Sequence, residues 1–292
     1  MKRLWERRFA ISQFDVSGVP FPAKVLKFDP RIRLIASGDE ECTACIAFDA
    51  EEPSLDGLEQ KTMFEIANVY SLLSGFSIQV KPLGARTINS LKELGGPYRP
   101  LTVKVKAQYP ARKLRKYSQN LLAEWQRTTK VWARLRSTFK RTDRRFLKLA
   151  IGYYYQSGLH SIPLEEAFVD AAIGLEALFN DGPQDIAYKL AVRGALVLRC
   201  LDHTDAGSQF QSLKELYKKR NEIVHGTGGK LEPDDQYRIR RLLRSSLKGC
   251  LALGLEYNKS AIISLIDEAV IDDAARSKLK KEIKSGVSTL GL

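Results

Sequence analysis

The chain has 292 residues, 44% hydrophobic and 28% charged, enough to bury a full core, and its length favours two domains over one. Lys and Arg (47) outnumber Asp and Glu (34), a formal net charge of +13 that points to an anionic partner. No apolar run approaches the roughly 18 residues that cross a bilayer, and the opening MKRLWERRF is charged where a secretory signal has its apolar centre. A cytoplasmic protein with no membrane partner is therefore expected.

The first hundred residues read as a small α+β unit. Segments 9–16, 24–28, 31–36 and 43–48 are short, rich in β-branched and aromatic residues, and punctuated by Gly18, Pro20, Pro22, Pro30 and Gly38. RIRLI alternates charged and apolar side chains with the period of a half-buried strand. Leu58, Phe64, Ile66, Ala67, Tyr70 and Leu73 predict a helix that Gly75 stops, and 76–80 returns to strand character. Cys42 and Cys45 form one C-x-x-C pair without a second pair at zinc spacing, so they, Cys200 and Cys250 read as small buried residues; no metal and no cofactor is expected. The stretch LGGPYRP at 94–100 suits neither helix nor strand and sets the domain boundary, with 1–98 before it.

Between 104 and 148, 15 basic residues face only Glu124 and Asp143, so the entire excess charge sits there. Leu114, Tyr117, Leu121, Trp125, Thr128, Trp132, Leu135 and Phe139 recur at steps of three and four, the buried seam of a long amphipathic helix within 99–141. Its basic faces, with Arg112, Lys113, Arg127, Arg134, Arg136, Lys140 and Arg141, then Arg144 and Arg145 just beyond, are the expected RNA-binding surface; a solvated basic face is the plain alternative. Further helices are predicted at 144–156, 164–180, 184–200, 209–225, 233–257 and 260–284. Short connections imply antiparallel neighbours, hence a mainly α chain whose bundle spans 142–258 and carries a helical extension at 259–292.

The stretch LKELYKKRNEIVHG (213–226) places Arg220, Asn221 and His225 at one helix end, which Gly226 should terminate. On a regular helix Arg220 and His225 lie about 140° apart, whereas Asn221 and His225 share a face. A histidine in the last turn also pairs favourably with the helix dipole, so a purely structural role stands beside a functional one. Glu176 and Arg193 sit within apolar helices, which suggests an internal ion pair, or support for Arg220; Tyr217 reads as core or interface. His160 and His203 fall in connections without ligand-spaced partners, and Asp234-Asp235 and Asp272-Asp273 read as helix-start charge.

RNEIVH fits the R-x4-H motif of HEPN domains. With FVDAAIGLEALF (168–179) and IAYKLAVRGALVL (186–198) preceding it, the order of segments over about 142–258 resembles the Apea-like HEPN subgroup. The resemblance implies a HEPN-type antiparallel helical bundle, preceded here by the small α+β unit, and a metal-independent endoribonuclease that pairs two motifs across a homodimer. It assigns Arg220 to charge stabilisation, His225 to proton transfer or phosphate contact, and Asn221 to positioning, with a toxin or phage-defence role. Such cleavage needs a base for the ribose 2′-hydroxyl, an acid for the leaving 5′-oxygen and positive charge at phosphorus, and yields 2′,3′-cyclic phosphate and 5′-hydroxyl ends. The alternative is a non-catalytic HEPN module for nucleic-acid binding or protein interaction; an enzyme regulated through the N-terminal unit is also compatible.

Overall fold

The computed structural model describes residues 3–12, 26–29, 32–36, 42–50, 58–75, 79–87, 121–159, 162–202, 205–227 and 230–292, with side chains described for 61–75, 80, 127–159, 162–201, 205–227 and 230–292. The described residues are mainly helical. They divide into two compact units, Met1–Ala67 with Ile78–Thr129, and Asn68–Ser77 with Lys130–Leu292. The 94–100 stretch lies outside the described residues, and the division falls within two helices.

In the first unit β1 (Arg3–Ser12), β2 (Leu26–Asp29), β3 (Ile32–Ala36), β4 (Cys42–Ala50) and β5 (Gln79–Thr87) form one sheet in the order β2-β3-β4-β1-β5, every neighbour antiparallel. β5 begins later than the expected 76–80 strand and continues through Pro82 and Gly84. A proline cannot donate to a ladder, and it is accommodated because β5 is an edge strand whose pairing with β1 shifts register between Arg8 and Phe9, where Phe9 faces Pro82. α1 (Leu58–Ser74) follows the predicted spacing and ends at Gly75, whose φ of 86° suits a residue without Cβ.

The second unit is built from α2 (Leu121–Lys140, of which Lys130 onward belongs here), α3 (Arg145–Gln156), α4 (Leu164–Phe179), α5 (Ile186–Asp202), α6 (Ala206–Val224), α7 (Pro233–Leu253), α8 (Lys259–Ile271) and α9 (Asp273–Leu290). α7 is its centre, packed against α3, α4, α5, α6 and α9, with Ile239, Leu242, Leu243, Leu247 and Cys250 buried. A Cβ on Gly174 of α4 would lie 2.6 Å from Leu243, so this glycine lets the two helices approach. The last carbonyls of α1, within the same unit, have no partners inside their helix. They accept from α7 instead: Arg244 Nε donates to Leu72 at 2.7 Å and its Nη2 to Leu73, and Arg240 Nη1 donates to Gly75 at 2.7 Å.

Thr128, Trp132, Leu135 and Phe139 are buried as the seam requires, while Leu114 and Tyr117 fall outside the described residues. The helix expected over 260–284 is two helices. Asp272 is extended (φ −117°, ψ 124°), and its carboxylate accepts the Ala274 N–H at 2.7 Å, closing α8 and starting α9. α6 begins earlier than expected because Asp205 caps it, accepting from Gly207 and Ser208.

Candidate functional site

α6 carries the motif and α4 supplies its partner. Tyr217 and Arg220 are one turn apart on α6, so both side chains reach the same stretch of α4. The Tyr217 hydroxyl donates to Glu176 Oε1 at 3.1 Å, and Arg220 Nη2 stands 3.2 Å from the same oxygen. The guanidinium also lies 5.6 Å from the Tyr217 ring centroid, within cation–π range. Arg220 Nη1 donates to Asn221 Oδ1 at 3.3 Å, while its Nε is buried without a hydrogen-bond partner. Four of the expected site residues, Glu176, Tyr217, Arg220 and Asn221, therefore form one connected group.

Burial, the neighbouring Glu176 charge and the hydrogen bond to that carboxylate push the Tyr217 phenol up to about 12. Arg220 and Glu176 are each about one-fifth exposed, shielded yet within reach of solvent.

His225 caps the end of α6, exposed, with its backbone N–H on Asn221 O at 3.0 Å. Its imidazole has no hydrogen bond among the described residues. The chain leaves through a Schellman turn: Gly226 (φ 67°) donates to Ile223 O at 3.2 Å and Thr227 to Glu222 O at 3.0 Å. Asn221 meets Arg220 through its side chain and His225 only through its backbone carbonyl. Behind this end, Lys219 Nζ reaches the buried Asp235 at 2.5 Å, which with Glu232 forms the capping box of α7 and ties the two helices together. Burial works to raise the Asp235 carboxyl, but the hydrogen bonds from Lys219 and the Glu232 backbone N–H, with the Lys219 and Arg238 charges, outweigh it and hold the carboxyl below its ordinary value.

Two expectations are corrected. Glu176 and Arg193 are not an ion pair: Glu176 instead meets Arg220, the alternative role, while Arg193 turns to Asp267 of α8, with Nε on Oδ1 and Nη2 on Oδ2, both at 2.7 Å. Its Nη1 also donates to Phe179 O at 2.7 Å and Nη2 to Asp181 at 2.9 Å, so it fastens the end of α4 and the next turn to α8. Arg144 is not a surface contact for RNA. It is 1% exposed, with Nε on Gly254 O at 2.8 Å, Nη2 on Glu256 O at 3.0 Å and Nη1 on Asp143 at 2.6 Å, because the carbonyls beyond α7 need donors.

Among the other basic candidates, Arg127, Arg134, Arg136, Lys140 and Arg145 are exposed; Arg136 lies 5.3 Å above Trp132. Arg141 is half-exposed but engaged by Asp143 through two bonds of 3.1 and 3.0 Å. Arg112, Lys113, His160 and His203 lie outside the described residues. Among the described residues no three His, Cys, Asp or Glu side chains gather in a metal-binding group, and no helix is long and apolar enough to cross a membrane. Cys200 and Cys250 are buried, and burial raises both thiols.

Asp267 and Asp181 escaped the sequence reading, Asp267 because it lay inside what read as one continuous helix over 260–284. Compared with protein-family models, curated proteins and solved structures, the chain matches none.

Proposed function

We propose that the protein is a HEPN-type, metal-independent endoribonuclease acting as a homodimer, with Arg220, Asn221 and His225 at its centre. The carrying observation is the linked set Glu176, Tyr217, Arg220 and Asn221, with His225 one turn beyond Asn221 at the end of α6, exposed and with no hydrogen bond on its imidazole among the described residues. In this reading the strands and the first part of α1 are a small α+β unit, 142–258 the bundle and 259–292 its extension.

The chemistry follows from the side chains. A base removes the proton of a ribose 2′-hydroxyl, whose oxygen bonds to phosphorus; the P–O5′ bond breaks and an acid protonates the leaving oxygen. Imidazole titrates close enough to neutrality for either task, but one cannot serve both faces of the phosphate. Two-fold pairing brings a second His225 and a second Arg220. The second N–H on each of Arg220 Nη1 and Nη2, not taken by Asn221 and Glu176, is what a phosphate oxygen would meet as charge builds at phosphorus. The exposed Arg134, Arg136 and Lys140 then draw RNA in by charge. A cytoplasmic toxin or phage-defence effector is the setting this activity suits.

One observation favours the non-catalytic module: Glu176 already offsets much of the charge Arg220 would present to phosphate. The deciding experiment is digestion of a mixed RNA pool in EDTA by the full chain and by His225→Ala, with product ends identified. Cyclic-phosphate ends from the wild type that vanish in the variant, with DNA intact, are the expected result. Absence of cleavage by a folded dimer that still binds RNA assigns the binding module.

A further inference from the structure

One surface begins away from the motif and the basic face of α2 and runs toward the motif end of α6. Tyr188 of α5 is 63% exposed, large for an aromatic side chain, and stands edge-on to Phe210 of α6, ring centroids 6.1 Å apart at 79°. From Phe210 the surface of α6 continues in one direction. At about 100° per residue, Lys214, Lys218, Asn221 and His225 lie about 40°, 80°, 20° and 60° from Phe210 around the helix, one stripe about 22 Å long. Lys214 is exposed and has no carboxylate partner among the described residues; Lys218 is 80% exposed, its nearest carboxylate Glu222 3.8 Å away.

We propose that this stripe, with Tyr188 at its side, is a track for single-stranded RNA leading to His225. It rests on the ribonuclease reading only for its destination. An exposed ring beside spaced lysines supplies the two elements of sequence-tolerant single-strand binding, a face on which bases stack and cations that follow the backbone. A duplex hides its base faces and cannot use the ring. A two-fold contact between copies centred on Lys214 and Lys218, away from the motif end, would set lysine against lysine, so charge selects a polyanion for this part of the stripe. Stacked nucleotides rise about 3.4 Å each, and the stripe accommodates about six.

The test uses the full chain carrying His225→Ala, so that RNA stays intact, and a single-stranded RNA hexamer with 2-aminopurine at successive positions. Tyr188→Phe should leave affinity and fluorescence quenching unchanged. Tyr188→Ala, whose side chain is largely in solvent and whose melting temperature serves as a folding control, should weaken binding roughly 5- to 150-fold and relieve quenching at one position. Lys214→Ala and Lys218→Ala should each reduce the slope of log affinity against log salt by about 0.7. A duplex of the same sequence should be indifferent to Tyr188→Ala. The track is overturned if the His225→Ala chain does not bind the hexamer, if Tyr188→Ala binds and quenches as its background does, or if Tyr188→Ala alters only the sedimentation coefficient, which would make the patch a protein interface. Cleavage by the wild-type chain together with any of these removes the track and leaves the ribonuclease; hexamer binding with the expected losses but no cleavage leaves the track and removes the ribonuclease.

Discussion

Glu176 and Arg220 stand 3.2 Å apart across α4 and α6, and the hydroxyl of Tyr217 donates to the same carboxylate oxygen. The carboxylate thereby holds the guanidinium in one orientation before any substrate arrives. If the chain is the proposed ribonuclease, Arg220→Ala should lower RNA cleavage about 10²- to 10³-fold, the scale of a lost transition-state donor. Glu176→Gln keeps an acceptor for both partners and should cost far less. Glu176→Ala should lower activity more than Glu176→Gln and lower stability by about 1.5–3 kcal/mol, the scale of a lost charge-assisted hydrogen bond. Paired cleavage assays and urea melts check this; equal activity in all three variants removes Arg220 from the reaction.

Arg193 offers a contrasting case, a buried guanidinium whose partners hold the fold. Arg193→Ala strips donors from Phe179 O, Asp181 and Asp267 at once. Loss should be roughly 3 kcal/mol, the low end for a broken buried pair because both carboxylates keep contact with water. The Arg193 and Lys189 cations hold the Asp181 carboxyl well below the usual range. A depressed folded-state value means the contribution is present above the unfolded-state value of about 3.9 and fades as pH falls below it. Denaturation midpoints of wild type and Asp181→Asn should thus differ at pH 7 and converge in acid.

The basic segment separates into arginines that build and arginines that face outward. Arg144→Ala should destabilise by about 1–3 kcal/mol or more, since it leaves the Gly254 and Glu256 carbonyls without their donor. Reversing Arg134 and Arg136 to Glu should instead leave melting nearly unchanged, weaken RNA binding and flatten its salt dependence. Filter binding across a salt series separates the two; unchanged affinity after the reversals takes RNA off this face.

How far the sequence disclosed this arrangement depended on the range of the interaction. Three-and-four spacing located the buried seam of α2, and Gly75 and Gly226 marked real helix ends, because periodicity and left-handed caps are local. Arg144 shows the limit: in sequence it is one more cation in a basic run, and only the arrival of residues 254–256 makes it interior. Arg193 and Glu176 looked like natural partners as the charges of neighbouring apolar helices. Their actual partners, Asp267 and Arg220, are 74 and 44 residues away, and no local pattern encodes which face of α8 or α6 meets them. Proximity of Arg220 to Asn221 was legible, being adjacent in the chain, whereas support of Arg220 by Glu176 stood only as an alternative, and choosing it over the Arg193 pair needed the packing of α4 on α6.

Tyr217 gives the last test, at the alkaline end. Burial and the Glu176 charge raise its phenol to about 12, against an unfolded value of about 10. A raised folded-state value means the native chain holds this proton more tightly than the unfolded chain. Its contribution to stability is therefore complete below about pH 10 and is lost as pH climbs toward 12. Tyr217→Phe cannot ionise and lacks the donor to Glu176, so it should be less stable than wild type at pH 8 by about 1–3 kcal/mol. The gap should narrow between pH 10 and 12, when wild-type Tyr217 is forced toward phenolate beside a carboxylate. Urea midpoints of the two proteins at pH 8, 10 and 11.5 measure it; a constant difference at all three would mean that the phenol titrates as it does in the unfolded chain and that the carboxylate is not held against it in solution.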